Sequence, residues 1–158
     1  MNTIIIGIGE YAISTDSKDI LKTFALGSCV AVIIYNVTKK AAGMIHVALP
    51  NSSVNEEKAK KNPGYFVDTG LPLLLQKMNG NLNTSKLQIK IIGGSNIMDA
   101  KGHFDIGKRN VLAIKKYLWK KGLGVIAEDI GGNISRTVSV KVKTGEIIIT
   151  SKGKSWSL

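Results

Sequence analysis

Two apolar segments separated by a short, mostly polar stretch constrain the fold of this chain more than any other feature. Residues 29–35 and 41–49 are rich in β-branched and small apolar side chains, whereas residues 36–40 include asparagine, threonine and lysine. This pattern predicts a β-hairpin with its tip near Thr38. Elsewhere strands outnumber helices, and several are joined by hairpins instead of helical crossovers. We therefore predict an α+β fold.

The remaining pattern fits one domain. No internal repeat or low-complexity linker divides residues 1–158, and the length is sufficient for a sizeable core. Further strands are predicted over residues 4–8, 87–92, 124–128, 137–142 and 146–150. One helix is predicted over residues 65–78, kinked or restarted at Gly70 and Pro72. A second helix, over residues 106–120, carries an apolar stripe and ends at a glycine.

The hairpin carries the only cysteine of the chain and one of its two histidines. In the predicted pairing, position 29 lies opposite position 47 to within a residue or two, so Cys29 and His46 fall at the same end of the hairpin. An imidazole near a thiol can remove its proton and stabilise the thiolate, which is the nucleophilic form. Gly27 and Ser28 place no bulky side chain before the cysteine. We therefore predict a cysteine hydrolase with a partly accessible, unusually reactive Cys29.

Two less specific interpretations remain open at this point. A cysteine next to Val30 and Ala31 is often an inert residue of the core. A histidine in an apolar strand is more often a hydrogen-bonded structural residue than a catalytic base. The hairpin places Cys29 and His46 near each other under either interpretation.

The charge of the chain points to an anionic partner. It has 22 Lys and Arg residues against 11 Asp and Glu residues, a formal net charge of +11. Nucleic acid is not the predicted partner, because the lysines are scattered and no aromatic cluster interleaves with them. An acidic protein surface explains the charge equally well, and simple solvation of the surface is the third explanation.

Several other classes are disfavoured by composition. No apolar run approaches the length of a membrane span, and the start of the chain lacks the features of a signal peptide. A lone cysteine excludes an internal disulfide, which fits the reducing cytoplasm. His46 and His103 are far apart in sequence and give no short-spaced ligand pair, so neither a metal nor another cofactor is expected.

Three polar loops rich in glycine follow or open predicted elements. They match neither a phosphate-binding loop nor a dinucleotide fingerprint. The glycines either permit tight turns or let backbone amides approach a substrate near Cys29, and both explanations stay open. The loops are predicted to form one substrate-binding rim around the cysteine, made of Gly27, Ser28, Gly93, Gly94, Lys108, Arg109, Gly131 and Gly132. Pairing of Arg109 with an acid such as Asp129 is the alternative.

Taken in order, the motifs of this chain resemble those of the CheD chemoreceptor glutamine deamidases. The resemblance runs along almost the whole chain. The matching segments are residues 6–11 (IGIGEY), 26–32 (LGSCVAV), 46–50 (HVALP), 64–65, 68–69, 93–95 (GGS), 101–102, 106–110 (IGKRN), 128–133 (EDIGGN) and Arg136. Each segment is weak alone, and the ordered set is specific.

The resemblance implies catalytic roles for Cys29, His46 and Thr23, since in that family a threonine six residues before the cysteine completes a triad. The thiolate would attack the amide carbon of a glutamine side chain. The histidine would protonate the departing ammonia and then activate the water that opens the thioester. Thr23 would hold the imidazole in the useful tautomer, and the backbone amide of Cys29 would donate to the oxyanion.

The implied function is a protein-glutamine deamidase that converts glutamine to glutamate on the cytoplasmic domains of chemoreceptors (methyl-accepting chemotaxis proteins). Methylesterase activity at the resulting esters is a further activity that the resemblance raises. The implied fold is a four-layer α/β/β/α sandwich with mixed sheets, like that of the cytotoxic necrotizing factor type cysteine hydrolases. CheC-type phosphatases are implied partners, and a mainly regulatory role beside such a phosphatase is the alternative function. A basic RNA-binding protein is a third hypothesis.

Overall fold

The computed structural model describes residues 1–79, 87–97 and 104–158. The strands are β1 (Asn2–Ile5), β2 (Tyr11–Ser14), β3 (Asp19–Leu26), β4 (Val30–Asn36), β5 (Ala41–Val47), β6 (Leu87–Gly93), β7 (Val125–Ile130), β8 (Arg136–Lys141), β9 (Ile147–Ser151) and β10 (Lys154–Ser157). The α-helices are α1 (Glu56–Lys61), α2 (Val67–Asn79) and α3 (Ile106–Lys120), and 3₁₀ turns lie at Ser52–Val54 and Pro63–Tyr65. Within these ranges no helix is long and apolar enough to cross a membrane.

The strands form two five-stranded mixed sheets. The first has the order β1-β3-β8-β9-β10, with β1 and β3 parallel and the other neighbours antiparallel. The second has the order β2-β5-β4-β6-β7, with β6 and β7 parallel. The two sheets pack face to face around a core that includes Leu21, Ile33, Met44, Val138 and Ile149. The predicted α+β fold with stacked mixed sheets is confirmed.

The predicted hairpin is formed by β4 and β5, which occupy the middle of the second sheet. Every residue of both strands is buried. One face contacts the first sheet, and the other, which includes Val32 and Ile45, packs against Leu71 of α2 and Ile114 of α3. A strand covered on both faces has a nearly continuous apolar sequence, which explains why this hairpin dominates the sequence pattern.

The described residues form three layers, namely the helices α2 and α3, the second sheet and the first sheet. The outer face of the first sheet carries partly exposed polar side chains such as Lys22, Ser139 and Thr150. An antiparallel sheet can present such a face to water without a helical cover. The fourth layer implied by the resemblance therefore has no member among the described residues.

Helix α2 is continuous, so the predicted restart at Gly70 and Pro72 is wrong, whereas the predicted kink stays a prediction. An interior proline costs a helix about 3 kcal/mol, whereas each buried large apolar side chain contributes about 1.5–3 kcal/mol. The buried apolar residues of this helix are Val67, Leu71, Leu74, Leu75 and Met78. Their burial outweighs the local cost of the proline. Gly70 is needed for packing, because a Cβ there would lie 2.8 Å from the Cα of Gly64.

Candidate active site

The β4–β5 hairpin places Cys29 and His46 on one face at one end. Val30 pairs with Val47 and Ala31 pairs with His46, one residue away from the predicted register. His46 points between the two sheets, on the same face as Ala31, and Cys29 packs against this inter-sheet core. Cys29 lies two residues before Ala31, which makes it the diagonal neighbour of His46 at roughly 7–8 Å between backbones. Cys29 and His46, which the sequence predicts to be nucleophile and base, are therefore close in space.

The backbone around Cys29 is fixed by the loop that follows β6. The Gly94 N–H donates to the Cys29 carbonyl at 2.9 Å, and the Ser95 N–H donates to the Gly27 carbonyl at 2.8 Å. Gly93 has a φ of 115°, and a Cβ there would lie 2.4 Å from the Cys29 oxygen, so only glycine fits. Cys29 itself is half-buried, as expected for a partly accessible nucleophile.

Thr23 enters the site from the other sheet. Its Oγ1 lies 2.7 Å from Nδ1 of His46 and 2.6 Å from the carbonyl oxygen of Ile6. A hydroxyl has one hydrogen and a carbonyl can only accept, so Thr23 donates to Ile6 and accepts from His46. Nδ1 therefore carries the proton, and Nε2 is the unprotonated nitrogen. Nε2 is buried and has no hydrogen-bond partner among the described residues, which leaves it available as a base.

A bulge in β3 aims Thr23 at the histidine. The pairing of β3 with β8 shifts between Thr23 and Leu26, and Ala25 between them has a left-handed φ of 55°. The extra residue lets Thr23 and Leu26, three positions apart, both point into the core while Phe24 and Ala25 face solvent. Sequence reasoning missed this strand, and Thr23 emerged only from the family resemblance, because the bulge breaks the alternation that marks a strand.

The electrostatics of the site favour a neutral resting pair. Burial lowers the pKa of His46 to about 4. Burial also raises the pKa of the Cys29 thiol, and the N–H of Cys29 offsets this only in part. At neutral pH the free protein therefore holds a thiol beside a neutral imidazole, and not the stabilised thiolate that the sequence suggested. A catalytic role for this pair would then require proton transfer from sulfur to Nε2 during attack on a substrate.

The predicted glycine loops contact one another next to Cys29. The Gly131 N–H donates to the Gly93 carbonyl at 3.0 Å, and the Asn96 N–H donates to the Gly132 carbonyl at 2.8 Å. Gly107, at the start of α3, rests directly on the backbone of Gly94. The structure thus brings the glycine positions named from the sequence to one edge of the molecule.

Two openings adjoin this edge. A cleft of about 590 Å³ is lined by Asn96, Ile97, Gly132 and Asn133. It opens beside Gly27, because Ile97 Cδ1 lies 4.0 Å from the position of a Cβ on that glycine. A second cavity, of about 400 Å³, lies behind the Gly94 loop and is bordered by Lys108. Lys108 and Arg109 are both exposed.

The alternative in which Arg109 pairs with Asp129 is wrong. Asp129 Oδ1 accepts from Nε of Arg136 at 2.9 Å, and its Oδ2 accepts from Nε1 of Trp156 at 2.6 Å. Arg136 is buried and also reaches the Gly93 carbonyl at 3.5 Å. The first sheet is thereby tied to the loop that holds Cys29. No local sequence pattern indicates the bond between Arg136 and Gly93, since these residues are 43 positions apart in the chain.

No cluster of three or more His, Cys, Asp or Glu side chains suited to a metal ion lies within residues 1–79, 87–97 and 104–158. His103 lies outside these ranges, as do residues 101–102 of the family motifs. The described site brings together the thiol of Cys29, the imidazole of His46 and the hydroxyl of Thr23.

Comparison with known proteins shows similarity along the whole chain. A family model described as CheD chemotactic sensory transduction matches residues 48–151. A probable chemoreceptor glutamine deamidase CheD of Syntrophotalea carbinolica is 47% identical over 162 residues, covering 100% of both chains. A probable chemoreceptor glutamine deamidase CheD 1 of Syntrophus aciditrophicus is 41% identical, covering 97% of this chain and 96% of its own. The chemoreceptor glutamine deamidase CheD of Thermotoga maritima is 37% identical, covering 94% and 92%.

Proposed function

The chain belongs to the CheD family, and we propose that it is a chemoreceptor glutamine deamidase with Cys29 as nucleophile, His46 as base and Thr23 as orienting group. The observation that carries the proposal is the 2.7 Å contact between Thr23 Oγ1 and His46 Nδ1. This contact leaves Nε2 as a free base on the face that Cys29 shares. A histidine with a purely structural role would be expected to use both ring nitrogens in hydrogen bonds.

The reaction divides into two steps. A glutamine side chain enters the cleft beside Gly27, and Sγ of Cys29 bonds to its amide carbon while the thiol proton moves to Nε2 of His46. The imidazolium returns this proton to the nitrogen of the tetrahedral intermediate, and ammonia leaves as the thioester forms. A water molecule then gives a proton to Nε2 and its oxygen to the thioester carbon. The thioester breaks to glutamate, and the proton returns to sulfur.

The low pKa of His46 suits the departure of ammonia. An imidazolium whose ordinary pKa near 6.5 is lowered to about 4 by burial is a strong proton donor. The same burial makes proton removal from Cys29 harder, so the oxyanion of the intermediate needs a hydrogen-bond donor. The backbone N–H of Cys29 is the proposed donor, because it already lies beside the sulfur.

The basic surface suits an acidic helical substrate. The chain carries a formal net charge of +11, and Lys108 and Arg109 are exposed beside the glycine loops. Acidic segments of a receptor cytoplasmic domain would be drawn to this rim, and the encounter rate would fall as salt is added. The alternative role, regulatory partnership with a CheC-type phosphatase, does not require a free Nε2 beside a thiol, and the site geometry therefore favours the enzyme.

Mass spectrometry of receptor cytoplasmic fragments tests the proposal. Incubation with the protein should add about 1 Da at each modified glutamine, because an amide NH2 is exchanged for OH. Cys29→Ala protein prepared in the same way is the control and should give no mass gain. An equal gain with the Cys29→Ala protein, or none with the unchanged protein on any fragment, would refute the proposal. Methyl-esterified fragments in the same assay test for methylesterase activity.

A further inference from the structure

A fully buried asparagine on α3 hydrogen-bonds to the two segments that flank the β4–β5 hairpin beside Cys29 and His46. Asn110 is 0% exposed, and its neighbours on the buried side of the helix are apolar or glycine. Its Nδ2 donates to the carbonyl of Ser28 at 3.0 Å and to the carbonyl of Ala48 at 3.0 Å. Both hydrogens of the amide are used. One acceptor lies just before β4 and the other just after β5, so a single side chain cross-links the two segments.

The cross-link lies where the sheet has ended. The last residue pair of β4 and β5 at this end is Val30 with Val47. Ser28 and Ala48 both lie beyond this pair, Ser28 directly before Cys29 and Ala48 two residues after His46. Asn110 therefore continues the connection between the strands past the last paired residues, beside the nucleophile and the base.

The hydrogen bond from Asn110 to the Ser28 carbonyl also fixes the direction of the Cys29 N–H. The carbonyl of Ser28 and the N–H of Cys29 belong to one planar peptide unit, and in a trans unit they point in opposite directions. Since Asn110 holds the carbonyl toward α3, the N–H is turned away from the helix. It lies beside the Cys29 sulfur, where it favours the thiolate. An oxyanion formed by attack at that sulfur would meet this N–H.

Packing alone does not account for an asparagine at this position. Its Oδ1 is buried without a hydrogen-bond partner among the described residues, which costs about 1–3 kcal/mol. A leucine of similar size would fill the same space without this cost. The two Nδ2 bonds are the gain that offsets it.

We propose that Asn110 is a positioning residue that orients the peptide between Ser28 and Cys29 so that the Cys29 N–H faces the oxyanion. The role in catalysis rests on the proposed function. Asn110 does not touch the substrate, and it acts through the peptide that it holds. Substitution of Asn110 should therefore slow the chemical step and change substrate binding little.

Asn110→Leu is the test variant, and Ile114→Val is the matched control, because Ile114 is a fully buried residue one turn further along the same helix. Asn110→Leu should lower kcat about 10²–10³-fold, the usual contribution of one oxyanion donor, with KM changed less than about threefold. Alkylation of Cys29 by iodoacetamide, which forms no oxyanion, should stay within about threefold. Ile114→Val should change neither.

A second readout does not depend on activity. The backbone amide resonance of Cys29 should shift in Asn110→Leu and stay in place in Ile114→Val, because only the first variant frees the peptide. Unchanged kcat, an unshifted resonance, or a fall in alkylation as large as the fall in kcat would each overturn the inference. If no deamidation is seen with the unchanged protein, the proposed function fails, and the Cys29 resonance still decides whether Asn110 orients the peptide. Asn110→Ala, a good helix former, replaces the leucine variant if that one does not fold.

Discussion

The β4–β5 hairpin and strand β3 each contribute to one hydrogen-bonded site, and they are built in different ways. The hairpin joins neighbouring segments of the chain and is buried on both faces. β3 is half exposed, carries a bulge at Ala25, and pairs with β8 more than 100 residues later in the chain. In the proposed mechanism the hairpin end supplies the nucleophile and the base, and β3 supplies only the group that orients the base. The positions of the reacting groups therefore depend on local structure. The orientation of the imidazole depends on how the two sheets pack together.

This contrast predicts a graded response to substitution. Substitution of Cys29 or His46 should abolish deamidation, whereas substitution of Thr23 should only slow it. Changes at the rim should alter encounter with the substrate without affecting the bond-breaking steps.

The largest effect is expected for the hairpin. Cys29→Ala and His46→Gln should each lower the deamidation rate by about four orders of magnitude or more, because no other thiol or free imidazole nitrogen is available in the described site. Circular dichroism spectra should match those of the unchanged protein. Retention of more than about a tenth of the activity by either folded variant would contradict the division of roles.

The burial of His46 between the sheets should appear in the pH dependence of stability. The pKa of His46 is about 4 in the folded protein and near 6.5 when unfolded, so the unfolded chain binds the proton more tightly. Stability from this group is complete above about pH 6.5 and is lost as pH falls, by about 3 kcal/mol on reaching pH 4. Urea unfolding at several pH values should show this loss in the unchanged protein and not in His46→Gln. Parallel curves for the two proteins would show that the histidine is not held neutral.

Thr23→Val tests the contribution of β3. It removes the hydroxyl at nearly constant volume, so Nδ1 of His46 loses its acceptor and the Nε2-protonated tautomer becomes accessible. We expect kcat to fall about 10–100-fold, less than the roughly 10²–10⁴-fold contribution of a positioned base, because the imidazole itself remains. Thr23→Ser keeps the hydroxyl and should stay within about threefold. Equal losses in the valine and serine variants would indicate a packing role for Thr23, and the two-sheet assembly of the site would lose its support.

The same contrast explains which parts could be predicted from sequence. The hairpin and α3 follow local patterns, and α3 spans the predicted residues 106–120. β3 was missed because its bulge breaks the alternation, and β10 because its short segment is mostly polar with only Trp156 partly buried. The predicted break in α2 failed because burial of an apolar face outweighs a proline.

Contacts between distant residues were also beyond a local pattern. Asn110 and Ser28 are 82 residues apart, and Arg136 and Gly93 are 43 apart. Asn110 and Arg136 are part of the family motifs, but the motifs alone assign them no role. Their roles depend on the positions of backbone carbonyl groups in distant segments, and only the assembled sheets determine those positions.

The smallest effect is expected at the rim, where Lys108→Glu and Lys120→Glu form a matched pair. Both lysines are exposed on α3 and both changes alter the net charge equally, but Lys108 lies at the end beside the active-site loops. The two positions are separated by roughly 18 Å along the helix. At low salt Lys108→Glu should raise KM for receptor fragments about 3–10-fold, and this rise should fade as the Debye length shortens. Lys120→Glu should have little effect on KM.

Loss of stability would not explain such a rise. A glutamate at the start of a helix interacts favourably with the helix dipole, so Lys108→Glu is expected to stabilise α3 by about 0.3–1 kcal/mol. A raised KM in a protein that unfolds at the same or higher urea concentration must therefore reflect weaker encounter with the substrate. Equal KM values and equal salt dependence for the two variants would place the acidic partner on another surface, and the rim would then contribute only its backbone to the site.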